Sequence, residues 1–537
     1  MESMCSSAAL KSEASDLEIG QPQGSVFLIT AGGSILKLPI PSRSSKDPLN
    51  WSKWKRTLAF LAILVNSFVG LLVVQAPSVM VMSLAGEFGP DDTRPFSLSI
   101  LFSAPTLFMG IAALLWIPLT LAWGRRPVYL LSIVLLFLST LGAGLSTSFS
   151  QLLVSVCIQG LAEGINTSAA LLMIIDLTFI HERPQYIGAT WSIVGALTLA
   201  SLAVVAQVPE ITTTSWRPFY LIWSFPVAVS CLLTFFLYPE TYFVRPAVAF
   251  EGRILVQSSE EQVKVYEDWE NTPGGKGLPD VPTSRIQELK FWRSIRGGGW
   301  RAVRACYSQV FLCLVNPLMF WVALLEAVLF GSMLAIGETY SLVLMMEPYS
   351  MSPKSTPFVN LAGALGSFLA WPATAMFIPW ISKRLTVRNN GVRNAEHYLP
   401  AFIMPVIFGA LSIILYGITV ERKLHHSLIF ISYAFNSFSF AALATANILW
   451  ITEAFPRWAA PGVVVVSGLS YAASFGISFA IMPWAKSQGY ELMGIEIGVA
   501  ILVIGCVGIP VAFWGKALRQ YIHGRWTLNQ EGALRPQ

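Results

Sequence analysis

Two glutamates, Glu163 and Glu326, stand inside long apolar runs of the chain. A carboxylate facing a cavity in a low-dielectric setting shifts toward its neutral form, so it can take up and release a proton. An ionisable side chain at mid-bilayer is costly, which makes both residues candidate proton sites. The competing reading is a protonated glutamate hydrogen-bonded to a neighbouring helix. Gln159, Glu163, Asn166 and Ala170 recur at helical spacing and predict one shared polar face, opposite Leu161, Ile165 and Leu172. Glu338 lies near the end of the run that holds Glu326 and reads as interfacial. Asn436 and Asn447 are three helical turns apart and share a face. They either line a pathway or bond across helices. Gln75, Trp321 and Phe435 complete the candidate pathway, among further aromatic residues Trp223, Trp371, Phe438 and Trp450 that also suit lipid-facing packing.

Other chemistries find no motif. The cysteines (Cys5, Cys157, Cys231, Cys306, Cys313 and Cys506) form no metal-ligand spacing. His181-Glu182 is followed by Arg183, Pro184 and Gln185, so HExxH is not met, and neither GxSxG nor GxxxxGK[ST] occurs. No enzyme activity, metal or cofactor is therefore expected.

The elements that must hold the carboxylates follow from composition. Of 537 residues, 54% are hydrophobic and 12% charged. A soluble domain carries about 25% charged residues. The mean hydropathy is +0.60. These values argue against a soluble enzyme, a nucleic-acid binder and a disordered scaffold. Twelve stretches are long enough to cross a bilayer as helices. They cover about 57–81, 97–119, 127–146, 151–177, 186–207, 217–238, 310–338, 356–380, 398–419, 427–452, 460–483 and 493–516. The spacing of six, a polar segment and six predicts an all-α membrane protein with twelve transmembrane helices in two six-helix bundles. The parts are a tail over 1–56, a first bundle over 57–238, a central loop over 239–309, a second bundle over 310–516 and a tail over 517–537. Glu2, Glu13, Asp16 and Glu18 oppose a signal peptide. Lys and Arg concentrate in alternate loops, which predicts cytoplasmic termini and central loop. Expected partners are a small-molecule substrate, protons and the lipid bilayer, with no nucleic acid and a monomeric chain.

Several motifs carry a resemblance. Asp47-Pro48-Leu49-Asn50-Trp51 precedes the first span with Lys53, Lys55 and Arg56. Gly124-Arg125-Arg126-Pro127 joins spans two and three, His181-Glu182-Arg183 follows span four, and Pro239-Glu240-Thr241-Tyr242 follows span six. Arg388 to Arg393 with Glu396 follows span eight, and Ser474-Phe475-Gly476 through Pro483-Trp484 lies in span eleven. In order and spacing, these resemble the major facilitator superfamily, and within it the fungal drug:proton antiporter type with its DPxNW signature. The resemblance covers about residues 45–520. It implies proton-coupled export of a small organic molecule, such as a fungal secondary metabolite or toxic compound, across the cell or vacuolar membrane. Two other functions stay open: an uptake permease for a polyamine, siderophore or similar nutrient, and a non-transporting nutrient receptor. The resemblance also implies a cytoplasmic gate built from Gly124, Arg125, Arg126, Asp176, Arg183, Lys383 and Arg384.

The chain departs from that pattern at Leu121 and Pro379, where acids are usual, at Val156, where an Arg is usual, and over Ala196–Val208, which lacks the usual Gly and Pro. Losing the acid near Arg125 and Arg126 predicts an unmade ion pair and a protein that rests more open to the inside. An exposed pair is worth on the order of 1 kcal/mol, enough to shift a balanced equilibrium several-fold.

Overall fold

The computed structural model describes residues 25–27, 38–42, 44–89, 91–243, 255–256, 263–264, 299–389 and 392–526. Most of the central loop, including Glu260, Glu261, Glu267, Asp268, Glu270, Arg293 and Arg296, lies outside them, as do Asn390 and Gly391.

The first half contains α1 (Lys53–Gln75), a short α2 (Val81–Glu87), α3 (Ile100–Trp123), α4 (Arg125–Leu145), α5 (Phe149–Glu163), α6 (Ala169–Leu177), α7 (Arg183–Val205) and α8 (Arg217–Leu237). The second half contains α9 (Trp300–Val315), α10 (Pro317–Met345), α11 (Val359–Arg388), α12 (Ile403–Glu421), α13 (Ser427–Ala454), α14 (Ala459–Cys506) and α15 (Gly508–Trp526). Ten of the described stretches are long and apolar enough to cross a membrane. The last of these, Ala459–Ile522, folds back at Gly489 (φ 84°) and makes two crossings. The twelfth crossing is α5 followed by α6.

Local chemistry sets the helix ends. Ser52 Oγ accepts from the Lys55 N–H, Ser148 Oγ from that of Gln151, and Asn316 Oδ1 from that of Leu318. Side-chain caps of this kind satisfy amide groups that have no partner inside the helix. Asn316 followed by Pro317 also ends α9, so helix occupies 300–315 where sequence reading placed mostly loop. That part of the chain is amphipathic. Ala302, Val303 and Cys306 are buried, and Trp300 and Arg301 are exposed.

The fourth crossing is not one helix. Between α5 and α6, Gly164 to Ser168 form turns. Ser168 Oγ and Thr167 Oγ1 both donate to the Gly164 carbonyl, and the Asn166 N–H donates to the Glu163 carbonyl. Small polar residues compete for backbone groups in this way and interrupt helices.

The basic end of the molecule is the end at which α1 begins. There the DPLNW segment is a folded knot. Asp47 accepts from the Ser42 and Leu49 amides at 2.9 and 3.1 Å. Asn50 donates to the Ser42 and Ser44 carbonyls, and Trp51 Nε1 donates to the Ser45 carbonyl. Upstream, the Ile180 N–H donates to the Leu38 carbonyl at 2.7 Å. Further upstream, β1 (Ser25–Phe27) pairs antiparallel with β4 (Val392–Asn394), with Val26 opposite Arg393. The other described strands, β2 (Leu255–Val256) and β3 (Val263–Lys264), pair with each other.

At the opposite end, Arg217 grips Glu87 through two hydrogen bonds of 2.8 and 2.5 Å, and Trp216 Nε1 adds one at 2.9 Å. The Arg217 hydrogen bond holds the Glu87 carboxyl below the usual carboxylate range.

The halves meet chiefly along two helix pairs. Helix α7 runs against α11, where Ser367 Oγ donates to the Ser192 carbonyl at 3.2 Å. Helix α3 runs against α14, and a side chain on Gly110 would place its Cβ 2.9 Å from the Gly468 carbonyl oxygen. Along α14 the tight approach is at Gly468, whereas Gly476 has open space around it.

Candidate functional site

The basic end carries a buried ionic cluster. Gly124 joins α3 to α4 at φ 102° and ψ 169°, a backbone region open essentially to glycine alone. This tight joint puts Arg125 and Arg126 at the first positions of α4, both buried. Arg125 Nε donates to Asp176 Oδ2 at 3.2 Å, and its Nη1 donates to Thr120 Oγ1 at 2.9 Å. Arg126 Nη2 donates to the Phe235 carbonyl at 2.7 Å. Glu240 takes the backbone amides of Arg125, Arg126 and Tyr242 at 3.0, 3.2 and 2.8 Å. Burial pushes its carboxyl above the ordinary value, against the pull of those three amides.

The expected unmade pair is thus made for Arg125, whose guanidinium meets Asp176. With Leu121 at the usual acidic position, the acids at this joint are Asp176 on α6, which takes the Arg125 guanidinium, and Glu240 after α8, which takes the backbone amides. Gly124→Ala is expected to cost about 1–3 kcal/mol through backbone strain alone. A lower thermal unfolding midpoint in detergent, with helix content unchanged, would report it.

A second pair links the halves. Arg183 Nη1 at the start of α7 donates to Glu453 Oε1 at the end of α13, at 2.6 Å. Arg393 Nη2 lies 3.6 Å from Glu453 Oε2 and also donates to the Tyr398 hydroxyl. Arg519 holds Glu396 with two hydrogen bonds of 2.9 and 2.8 Å. Lys383 and Arg384 do not join this cluster. Both are exposed, with Arg384 stacked over Trp380 at 5.4 Å. These two lie on the exposed face of α11, whereas Arg393 and Glu453 are buried in the cluster.

The carboxylates lie deeper. Glu163 is 1% exposed and accepts from Asn166 Nδ2 at 2.8 Å. It occupies a notch in α1 that exists because residue 70 is glycine. A Cβ there would fall 1.9 Å from Glu163 Oε2. Asn166 Oδ1 accepts from the Tyr129 hydroxyl at 3.0 Å and from Asn66 Nδ2 at 3.4 Å. Asn66 Nδ2 also donates to the Tyr129 hydroxyl at 3.1 Å, and Ser230 Oγ donates to Asn66 Oδ1 at 3.4 Å. A buried polar network therefore joins α1, α4, the α5–α6 turn and α8.

The turn at Gly164 to Ser168 changes the expected polar face. Asn166 folds back onto Glu163, while Gln159 points toward α4 with its Nε2 3.5 Å from the Ser139 carbonyl. Gln159 is fully buried inside the first half, away from the boundary between halves.

In the second half, Glu326 on α10 accepts from Asn447 Nδ2 at 2.8 Å. Asn436 also turns toward α10, where its Nδ2 donates to Ser332 Oγ at 2.9 Å and to Ser412 Oγ on α12 at 3.0 Å. Trp321 donates from Nε1 to the Ile504 carbonyl at 2.6 Å and packs on Phe402 and Trp450. Phe435 packs edge-on against Phe408 of α12 at 5.1 Å. Trp321 and Phe435 were expected to line the pathway. They instead fill seams within the second half, because a large ring on an α10 or α13 face turned from the boundary finds its partners there. Gln75 is half-buried at the end of α1.

Four residues missed in the sequence join the halves. Tyr471 of α14 packs on Phe330 of α10 at 5.0 Å, Phe330 on Phe440 of α13 at 5.2 Å, and Phe440 on Trp191 of α7 at 5.8 Å. Val74 of α1 and Met109 of α3 close over Tyr471 and Phe330. Tyr471 is buried, and one turn before it on α14 Ser467 Oγ donates to the Thr167 carbonyl of the first half at 3.1 Å. One signal was available for Phe330: it lies one helical turn beyond Glu326 and so on the same face.

The resulting arrangement is one buried carboxylate in each half and an aromatic row that runs from α14 across to α7. Comparisons with known proteins agree with this two-half design. The chain is 23% identical to an uncharacterised MFS-type transporter of Schizosaccharomyces pombe, covering 93% of this chain and 89% of that one. It is 22% identical to Protein HOL1 of Saccharomyces cerevisiae (96% and 95% covered) and 21% identical to the efflux pump radE of Floropilus chiversii (88% and 84%). Among solved structures, the human organic anion transporter MFSD10 superposes with a TM-score of 0.53 at 14% identity, covering 87% of this chain and all of that one. The proton:xylose symporter XylE gives 0.51 at 14% identity, covering 86% and 95%. The Major Facilitator Superfamily model matches residues 57–465, and with the twelve crossings in two halves the chain belongs to that superfamily.

Proposed function

We propose that this transporter exports a small organic molecule in exchange for protons, with its substrate site at the aromatic row between the halves. The observation that carries the reading is a buried carboxylate in each half: Glu326 lies one helical turn from Phe330 of the row, and Val74, one turn from the Gly70 notch that seats Glu163, closes over Tyr471. Buried acids in membrane segments mark ion and substrate pathways. One of the similar proteins is named an efflux pump, which supports export. The basic loops support cytoplasmic termini in a cell membrane.

In this scheme a proton reaching Glu163 from outside neutralises it and releases substrate, and discharge to the inside resets it. Glu163 is the better proton site because the Asn166–Tyr129–Asn66–Ser230 network holds it within the first half's buried polar interior. Vesicles carrying the purified chain test this. Glu163→Gln is expected to abolish accumulation driven by a pH gradient while substrate exchange without a gradient persists. Full gradient-driven transport by Glu163→Gln would refute the proton role, and net uptake under an inward proton gradient would reverse the direction assigned here.

A further inference from the structure

Charge inside the helices is one-sided. Among the described residues, the basic side chains near the membrane segments sit at helix starts and ends, as Arg56, Arg125, Arg183, Arg217 and Arg384 do. The deep positions hold Glu163 and Glu326 and no Lys, Arg or His. A buried carboxylate needs a positive or hydrogen-bonding partner to offset its lost hydration. A negatively charged substrate would find two like charges and no counter-charge at this depth.

The two acids are not equivalent. Glu163 is enclosed by Gly70, Leu136 and the first half's polar network. Glu326 accepts one described hydrogen bond, from Asn447. Asn447 is fully buried, and its Oδ1 has no hydrogen-bond partner. An acceptor left unsatisfied in a buried site is costly and is found with a partner in nearly all native structures. The carboxamide that touches Glu326 thus presents an unsatisfied acceptor beside a carboxylate. A ligand that satisfies both must supply more than one N–H and a positive charge. One turn from Glu326, Phe330 opens the aromatic row, whose ring faces attract cations and accept an apolar body.

We propose that Glu326 and Asn447 form the docking point for a protonated amine on the substrate, with Phe330, Phe440 and Tyr471 holding its apolar part. The assignment deepens the export reading and rests on it. It selects primary and secondary amines, because a quaternary ammonium has no N–H for Asn447 Oδ1 and an amide has no charge for Glu326.

The test is equilibrium binding to the purified full chain without any gradient, read by tryptophan fluorescence. The probes are arylalkyl primary amines of graded length, each with its N-acetyl and trimethylammonium counterparts. The amines are expected to bind at least tenfold more tightly than either counterpart. Glu326→Gln and Asn447→Leu are each expected to remove that preference, and Lys383→Ala, on the exposed face of α11, is expected to keep it. Glu326→Gln is nearly isosteric, so a folded variant is available even if Asn447→Leu fails to fold. Equal binding of the N-acetyl compounds, no amine-selective binding at any length, or an unchanged preference in Glu326→Gln would overturn the proposal. Gradient-driven transport of neutral compounds alongside any of those results would sink the amine site and leave the export reading standing.

Discussion

Replacing Glu453 with glutamine is expected to open the basic end and slow the transport cycle by tenfold or more. Glu453 is the shared acid of Arg183 from the first half and Arg393 from the second, at 2.6 and 3.6 Å. Both arginines are almost completely buried, so removing the acid leaves two positive charges facing each other. Breaking a buried pair by removing one partner costs about 3–5 kcal/mol. Every 1.4 kcal/mol is about tenfold in an equilibrium, so the closed arrangement at this end should lose most of its population. A cysteine at Thr374, which packs against Gly188 across the boundary, would report the change as faster labelling from the basic side. Reversing the pair with Arg183→Glu and Glu453→Arg should not restore closure, because Arg393 would then face a new arginine. Adding Arg393→Glu should restore it. Restoration by the double reversal alone would show that Arg393 is not part of the gate.

The second large effect is expected at a residue without a side chain. Gly70→Ala would put a Cβ 1.9 Å from Glu163 Oε2 and 3.2 Å from Leu136 Cδ2. Either α1 moves away from the fourth crossing or the carboxylate leaves Asn166. Overpacking of this kind costs about 1–3 kcal/mol, and here it also displaces the acid proposed to carry the proton. The expected result is a folded but less stable protein that has lost gradient-driven transport. Adding Glu163→Ala should recover most of the stability and none of the transport. A thermal-melt double-mutant cycle would read the coupling. A Gly70→Ala protein with full stability and full coupling would place the carboxylate elsewhere.

The sequence carries most of the crossings in plain form, because about twenty apolar residues in a row have few other uses. Its signatures are legible in a second sense once the structure is seen. Asp47, Asn50 and Trp51 each bond the short segment before α1, so the DPLNW motif is a turn that anchors the first helix. The interruption of the fourth crossing was harder to read. Gly164, Asn166, Thr167 and Ser168 are individually tolerated in apolar helices, and only together do they turn the chain. That turn separates Gln159 from Asn166, which helical spacing had placed together.

The buried ionic cluster was legible by residue type and not by pairing. Arg125, Arg126, Asp176 and Arg183 could be singled out, yet Glu240 and Glu453 could not be assigned to them. Glu240 takes a backbone amide 115 positions away and Glu453 a guanidinium 270 positions away, so only the folded chain shows what each acid meets. The aromatic row illustrates the same limit. Thirty-three phenylalanines and eighteen tryptophans offer many candidates, and only the crossing of α7, α10, α13 and α14 selects four rings.

The notch at Gly70 also constrains how such a protein can change over generations. While Glu163 is present, no side chain at position 70 fits. Once Glu163 has been replaced by a small residue, Gly70 is free to acquire a methyl group or more. After that second step the acid can no longer return in one substitution, because its seat is filled. Loss of the acid is reversible at first and becomes a ratchet as soon as α1 takes up the vacated space.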